Sequence, residues 1–120
     1  MSAAHYRLDN LTAIVDCNGL QITGATRDVC NNEPLDEKFA AFGWRVTTVD
    51  GHDLDELEEA LTARPEPGKP TAIIARTTKG RGISFMENVV RWHHGVPTDD
   101  EYTRAVAEID GAIAAFCGRA

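Results

Sequence analysis

The chain has 120 residues, 42% of them hydrophobic and 26% charged, a balance that fits one small globular domain and excludes disordered and fibrous classes. Nineteen acidic against twelve basic side chains give a formal net charge of -7, a field that repels phosphate backbones, so no nucleic-acid partner is expected. No apolar run reaches the ~18 residues of a membrane span, so no membrane partner is expected either.

The first stretch, AAHYRLDN, reads as the last turns of a helix feeding a strand. Only Met1 and Ser2 precede it, so an upstream segment is expected to be missing and part of the sheet to lie uncovered, which favours association. LTAIVD (Leu11 to Asp16), RVTTVD (Arg45 to Asp50) and TAIIART (Thr71 to Thr77) are short apolar runs rich in β-branched residues and predict three strands. Between the first two, Leu35, Phe39 and Phe42 recur at helical spacing, with Gly43 placed to stop the helix. Between the second and third, Leu54, Leu57 and Leu61 repeat the pattern behind Asp53 as N-cap, and GHD ahead of it reads as turn and cap. Pro65, Pro67, Gly68 and Pro70 form an exposed connector, and Asp99 to Phe116 predicts a terminal helix interrupted at Gly111. Strands alternating with helices predict an α/β fold, a partial parallel sheet with flanking helices joined by right-handed crossovers.

Cys17, Cys30 and Cys117 are odd in number and form no CxxC pair, which predicts reduced thiols at core or boundary positions and a cytoplasmic protein without a signal peptide. In open parallel sheets ligands bind beyond the carboxyl ends of the strands, where Asp16, Cys17, Asn18, Gly19 and Leu20 follow the first strand. The Asn18 amide oxygen and a main-chain carbonyl two residues later are suitable hard donors for magnesium, and a plain turn with Gly19 at positive φ accounts for the same spacing. After the third strand, TTKGRGIS places glycines around Lys79 and Arg81, either an anion-binding loop or an exposed basic turn; it lacks the Walker spacing. RWHHGVP puts His93 and His94 in a loop, where imidazoles suit phosphate recognition or proton transfer and where zinc has no further ligand at spacing.

Taken in order, AAHYRLDNLTAIVDCNGLQITG, EKFAAFGWRVTTVDGHD, KPTAIIARTTKGRGISFMEN and WHHGVP resemble the thiamine-diphosphate-binding domain of transketolase, in particular the N-terminal subunit of split bacterial transketolases, from about Ala3 to Tyr102. The resemblance implies the thiamine-diphosphate-binding fold and an enzyme that moves a two-carbon ketol unit between sugar phosphates, with thiamine diphosphate and magnesium, or calcium or manganese in its place, shared between partner chains. It implies that Asn18 and the Leu20 carbonyl bind the metal, that Gly19, Ile22 and Lys79 lie at the cofactor, and that His93 or His94 is the histidine reaching the diphosphate and reacting centre. Spacing from Lys79 and Trp92 favours His93, and the glycine that follows favours His94.

The family's metal motif opens with a Gly-Asp-Gly triplet that these residues do not contain, so residues 1–120 are expected to form a single partial domain lacking that half. Other transketolase subunits are expected to supply the triplet and the pyrimidine-binding domain in an oligomer, and the chain alone is expected to bind the cofactor weakly and to be inactive. The alternative is a noncatalytic remnant or interaction module of the same fold.

Overall fold

The computed structural model describes residues 1–118. Helix α1 (Ser2–His5) leads into strand β1 (Thr12–Cys17), followed by a two-strand hairpin of β2 (Leu20–Gln21) and β3 (Gly24–Ala25) and the short helix α2 (Thr26–Val29). Helix α3 (Leu35–Ala41), strand β4 (Arg45–Asp50), helix α4 (Leu54–Thr62) and strand β5 (Thr71–Arg76) complete the α/β core. A 3₁₀ turn over Val90–His93 and helix α5 (Asp99–Cys117) close the described chain.

β1, β4 and β5 form one parallel sheet in the order β1-β5-β4, so the last strand to be made is the central one. The chain therefore steps outward from β1 to β4 and back to β5, and two right-handed crossovers of opposite travel put α3 and α4 on opposite faces. The packing agrees: Leu57 and Ala60 of α4 cover Val49, Ile73 and Ala75, which alternate onto one face. Ala72 and Ile74 point the other way, and α3 packs against β4 and β5. With both faces covered, Ile73 and Ile74 are fully buried. At the β1 edge the cover stops, and Ile14 is 56% exposed.

Local chemistry sets the helix limits. The Asp53 carboxylate accepts from the amides of Asp55 and Glu56, which satisfies two donors at the start of α4. Thr98 and Glu101 form a reciprocal capping box on α5, and Arg91 holds the Glu101 carboxylate through two hydrogen bonds of 2.8 and 3.1 Å. Gly111 does not interrupt α5, which runs unbroken to Cys117; an exposed glycine costs a helix only about 1 kcal/mol against alanine, too little to break it. Cys30 and Cys117 are exposed rather than boundary residues, because the segments that carry them lie at the margin of the packed layers; Cys17 is half-buried.

The described residues make a slab of 51 × 41 × 18 Å with a radius of gyration of 17.8 Å, against about 14 Å for a compact domain of this length. Among the described residues no helix is long and apolar enough to cross a membrane.

Candidate functional site

The parallel register brings Cys17 beside Arg76 and Asp50 beside Arg76 on the other side, so the carboxyl ends of all three strands open at one edge of the sheet. At the end of β1 the chain must turn to begin the hairpin. The Asn18 amide oxygen accepts the Leu20 N–H at 3.0 Å, an Asx turn, and Gly19 takes φ +73°. The Gly19 carbonyl then accepts the Thr26 N–H at 2.9 Å, which closes the hairpin over the turn. Asn18 Nδ2 donates to Asp16 Oδ1 at 3.3 Å, and the Thr77 hydroxyl donates to the same oxygen. The turn is thereby tied to the first residue of the loop after β5.

Asn18, Leu20 and Gln21 line a cavity of about 180 Å³ together with Asp16, Thr26 and Asn32. Gln21 Nε2 is buried there and has no acceptor among the described residues, an orphan donor of the kind that folded chains avoid. Ile22, at the tip of the hairpin, is 59% exposed.

The histidine stretch packs near this hairpin: the 3₁₀ turn Val90–His93 contacts β2, and His94 follows as its C-cap. Trp92 anchors that stretch by donating its indole N–H to the Phe85 carbonyl at 3.2 Å, with the Arg91 guanidinium stacked 4.5 Å from its ring centre. The two imidazoles stand edge to face, 6.0 Å apart, and both are exposed. Lys79 sits two residues past Thr77, in a loop whose ends are joined by Asn88 N–H to the Lys79 carbonyl at 2.9 Å. Its ammonium has no hydrogen bond or ion pair to the described residues. The fold thus sets Asn18, Gly19 and Leu20 around one turn and packs the 3₁₀ turn Val90–His93 against the strand that follows, and it ties the Lys79 loop to Asp16 without joining Lys79 to them.

Two further groups occupy this edge without a signal in the local sequence. Glu33 accepts from Arg76 and from Cys17 Sγ, the latter at 3.3 Å, while Arg76 also reaches Cys17 Sγ at 3.1 Å. The Arg76 guanidinium, with help from the Leu35 N–H, holds the Glu33 carboxyl down at about 2, and burial pushes the Cys17 thiol up. The second group is His52, whose Nε2 accepts the Thr78 N–H at 2.7 Å. Partners separated by 43 and 26 residues are set by sheet order, which no short motif encodes.

As a cation site the arrangement does not stand by itself. The Asn18 amide and the Leu20 carbonyl are neutral oxygens, the Asp16 carboxylate is engaged by Thr77 and Asn18, and no three acidic, histidine or cysteine side chains converge among the described residues. Magnesium asks for a carboxylate in a near-octahedral set, which these neutral oxygens do not by themselves provide.

Comparison with known proteins places the chain in a family. The family model described as transketolase, thiamine diphosphate binding domain, matches residues 1–114. The apulose-4-phosphate transketolase subunit of Phocaeicola vulgatus is 40% identical over 114 residues, 94% of this chain and 41% of that protein. The protein of the same name from Actinobacillus succinogenes is 45% identical over 109 residues, 91% of this chain and 40% of that protein. The chain thus spans about two-fifths of the length of these relatives. Among solved structures, the transketolase of Campylobacter jejuni superposes with a TM-score of 0.80 at 31% identity, covering 91% of this chain and 17% of that one. With its strand-end turn, its parallel sheet and the match over residues 1–114, the chain belongs to the transketolase family, within the thiamine-diphosphate-binding domain.

Proposed function

We propose that this chain is one component of a transketolase-type enzyme, which transfers a two-carbon ketol unit between sugar phosphates and holds thiamine diphosphate and a divalent metal, magnesium or a calcium or manganese substitute, between chains. The single observation that carries the reading is the packing of the 3₁₀ turn Val90–His93 against β2, the strand that directly follows the Asn18 turn, from a distant part of the sequence. A remnant kept only for its fold has no need of that packing.

In this reading Asn18 and the Leu20 carbonyl give two of the metal's oxygens, and an added carboxylate from a Gly-Asp-Gly segment completes the set. Gly19 keeps the turn close, Ile22 supplies an apolar surface for the cofactor ring, and the Lys79 ammonium, unpaired among the described residues, faces the diphosphate. His93 or His94 donates to phosphate oxygens or moves a proton at the reacting centre. The Gln21 amide, lacking an acceptor among the described residues, is matched by an oxygen of the bound group or of a partner segment. The cofactor carries the carbanion chemistry, and the protein contributes position and electrostatics. Residues 1–120 then act as a single partial domain, with partner transketolase subunits bringing the Gly-Asp-Gly half and the pyrimidine-binding domain.

The test is reconstitution. The chain is mixed with polypeptides carrying those two parts, and ketol transfer between sugar phosphates is followed with and without Asn18→Ala. Activity that requires the chain and falls at least about tenfold in the variant supports the reading; activity indifferent to Asn18 removes it. The neutral donor set favours one second reading, a noncatalytic module that docks on a related enzyme. That module forms the same complex but leaves cofactor affinity unchanged.

A further inference from the structure

The segment after β5 leaves the sheet under restraint from both neighbouring strands. On the β1 side, the Thr77 N–H donates to the Cys17 carbonyl at 3.3 Å and the Thr77 hydroxyl donates to Asp16. On the β4 side, Thr78 N–H donates to His52 Nε2 at 2.7 Å. An imidazole nitrogen that accepts carries no proton, so His52 is the neutral tautomer with its hydrogen on Nδ1. The backbone that carries the ring is itself held, because the main-chain N–H of His52 donates to Asp50 Oδ1 at 2.9 Å and the turn runs directly into the Asp53 cap of α4. Lys79 is the next residue after the second restraint.

We propose that His52 is a positioning residue whose neutral imidazole sets the path of the loop carrying Lys79 by accepting the Thr78 N–H. The presentation of Lys79 to an anion rests on the function proposed above; the ordering of the loop does not. Protonation at Nε2 turns the acceptor into a donor, and the Thr78 N–H then loses its partner. The charged and titratable groups around this ring are the Asp50 and Glu56 carboxylates and the Arg76 and Arg81 guanidinium groups, which line one cavity of about 510 Å³ with His52 and Thr78.

Amide hydrogen exchange on the whole chain, without cofactor, tests this directly. His52→Ala is expected to speed exchange at Thr78 by roughly 2- to 10-fold, the worth of one net hydrogen bond, and to leave the Ile73 and Ile74 amides of the central strand unchanged. His52→Gln, whose carboxamide oxygen can accept, is expected to restore part of the protection. Unchanged Thr78 exchange in His52→Ala overturns the proposal. Equal loss of protection at Thr78, Ile73 and Ile74 overturns it too, since His52 then supports the fold at large. Because cofactor is absent from the experiment, a negative result speaks against His52 alone, whereas failure of the functional reading shows as an Asn18→Ala enzyme of full activity.

Discussion

Replacing Glu33 with glutamine removes one charge from the cluster that joins the strand ends to the start of α3 while keeping the side chain's shape. In the native fold that carboxylate accepts from Arg76, from the Leu35 N–H at 3.0 Å and from Cys17. Its pKa falls from 4.5 to about 2, first through the Arg76 hydrogen bond. Taken at face value, a drop of that size corresponds to about 3 kcal/mol. The side chains of Glu33 and Arg76 are 34% and 47% exposed, and solvent screening reduces the net contribution to about 1 kcal/mol. Since the folded state holds the carboxyl below its unfolded value, the stabilisation is complete above about 4.5 and is lost as the pH falls through about 2. Urea unfolding of the parent chain and Glu33→Gln across that interval reads the effect. The variant is expected to be about 1 kcal/mol less stable at neutral pH, with the gap closing on acidification. Equal stability at neutral pH, or a gap that does not change with pH, would refute the reasoning.

Ile73→Ala empties a fully buried position between Val49, Ala75 and the α4 residues Leu57 and Ala60, and is expected to cost about 2–5 kcal/mol in the same unfolding assay. A loss below about 1 kcal/mol would mean that the α4 face is not closed as described. Gly80 has φ +75°, and a Cβ there would stand 2.5 Å from the Met86 carbonyl oxygen, so Gly80→Ala is expected to open the Lys79 loop. Trypsin should then cut after Lys79 or Arg81 faster than in the parent chain; an unchanged rate speaks against the close approach.

The strands and the two crossover helices were legible because each writes its own local pattern. Arg45–Asp50 appears as expected, Thr71–Arg76 ends one residue early, Thr12–Cys17 is displaced by one, and Asp53 caps α4. What local pattern does not hold is the order of strands, since the same three apolar runs permit β5 at an edge or at the centre. Only full burial of both Ile73 and Ile74 reveals the central place. The hairpin of two-residue strands after Asn18 was illegible for a different reason, being too short to show alternation. The residues alone nominated Asn18 with the carbonyl two residues on, the Lys79 loop and the two histidines, leaving an ordinary turn as the alternative for Asn18–Gly19 and for the Lys79 loop, and the family resemblance assigned their roles. Both readings of Asn18–Gly19 describe the same atoms: the Asx turn is present, and it leaves the amide oxygen one further lone pair to offer.

The central claim is that this chain contributes part of a cofactor site and needs company to complete it. Calorimetric titration of thiamine diphosphate and magnesium into the purified, folded chain, with Asn18→Ala as control, tests it most directly. The account predicts no saturable binding to either protein. Tight binding to the parent chain that disappears in Asn18→Ala would contradict it, and would show that residues 1–120 hold a complete metal and diphosphate site.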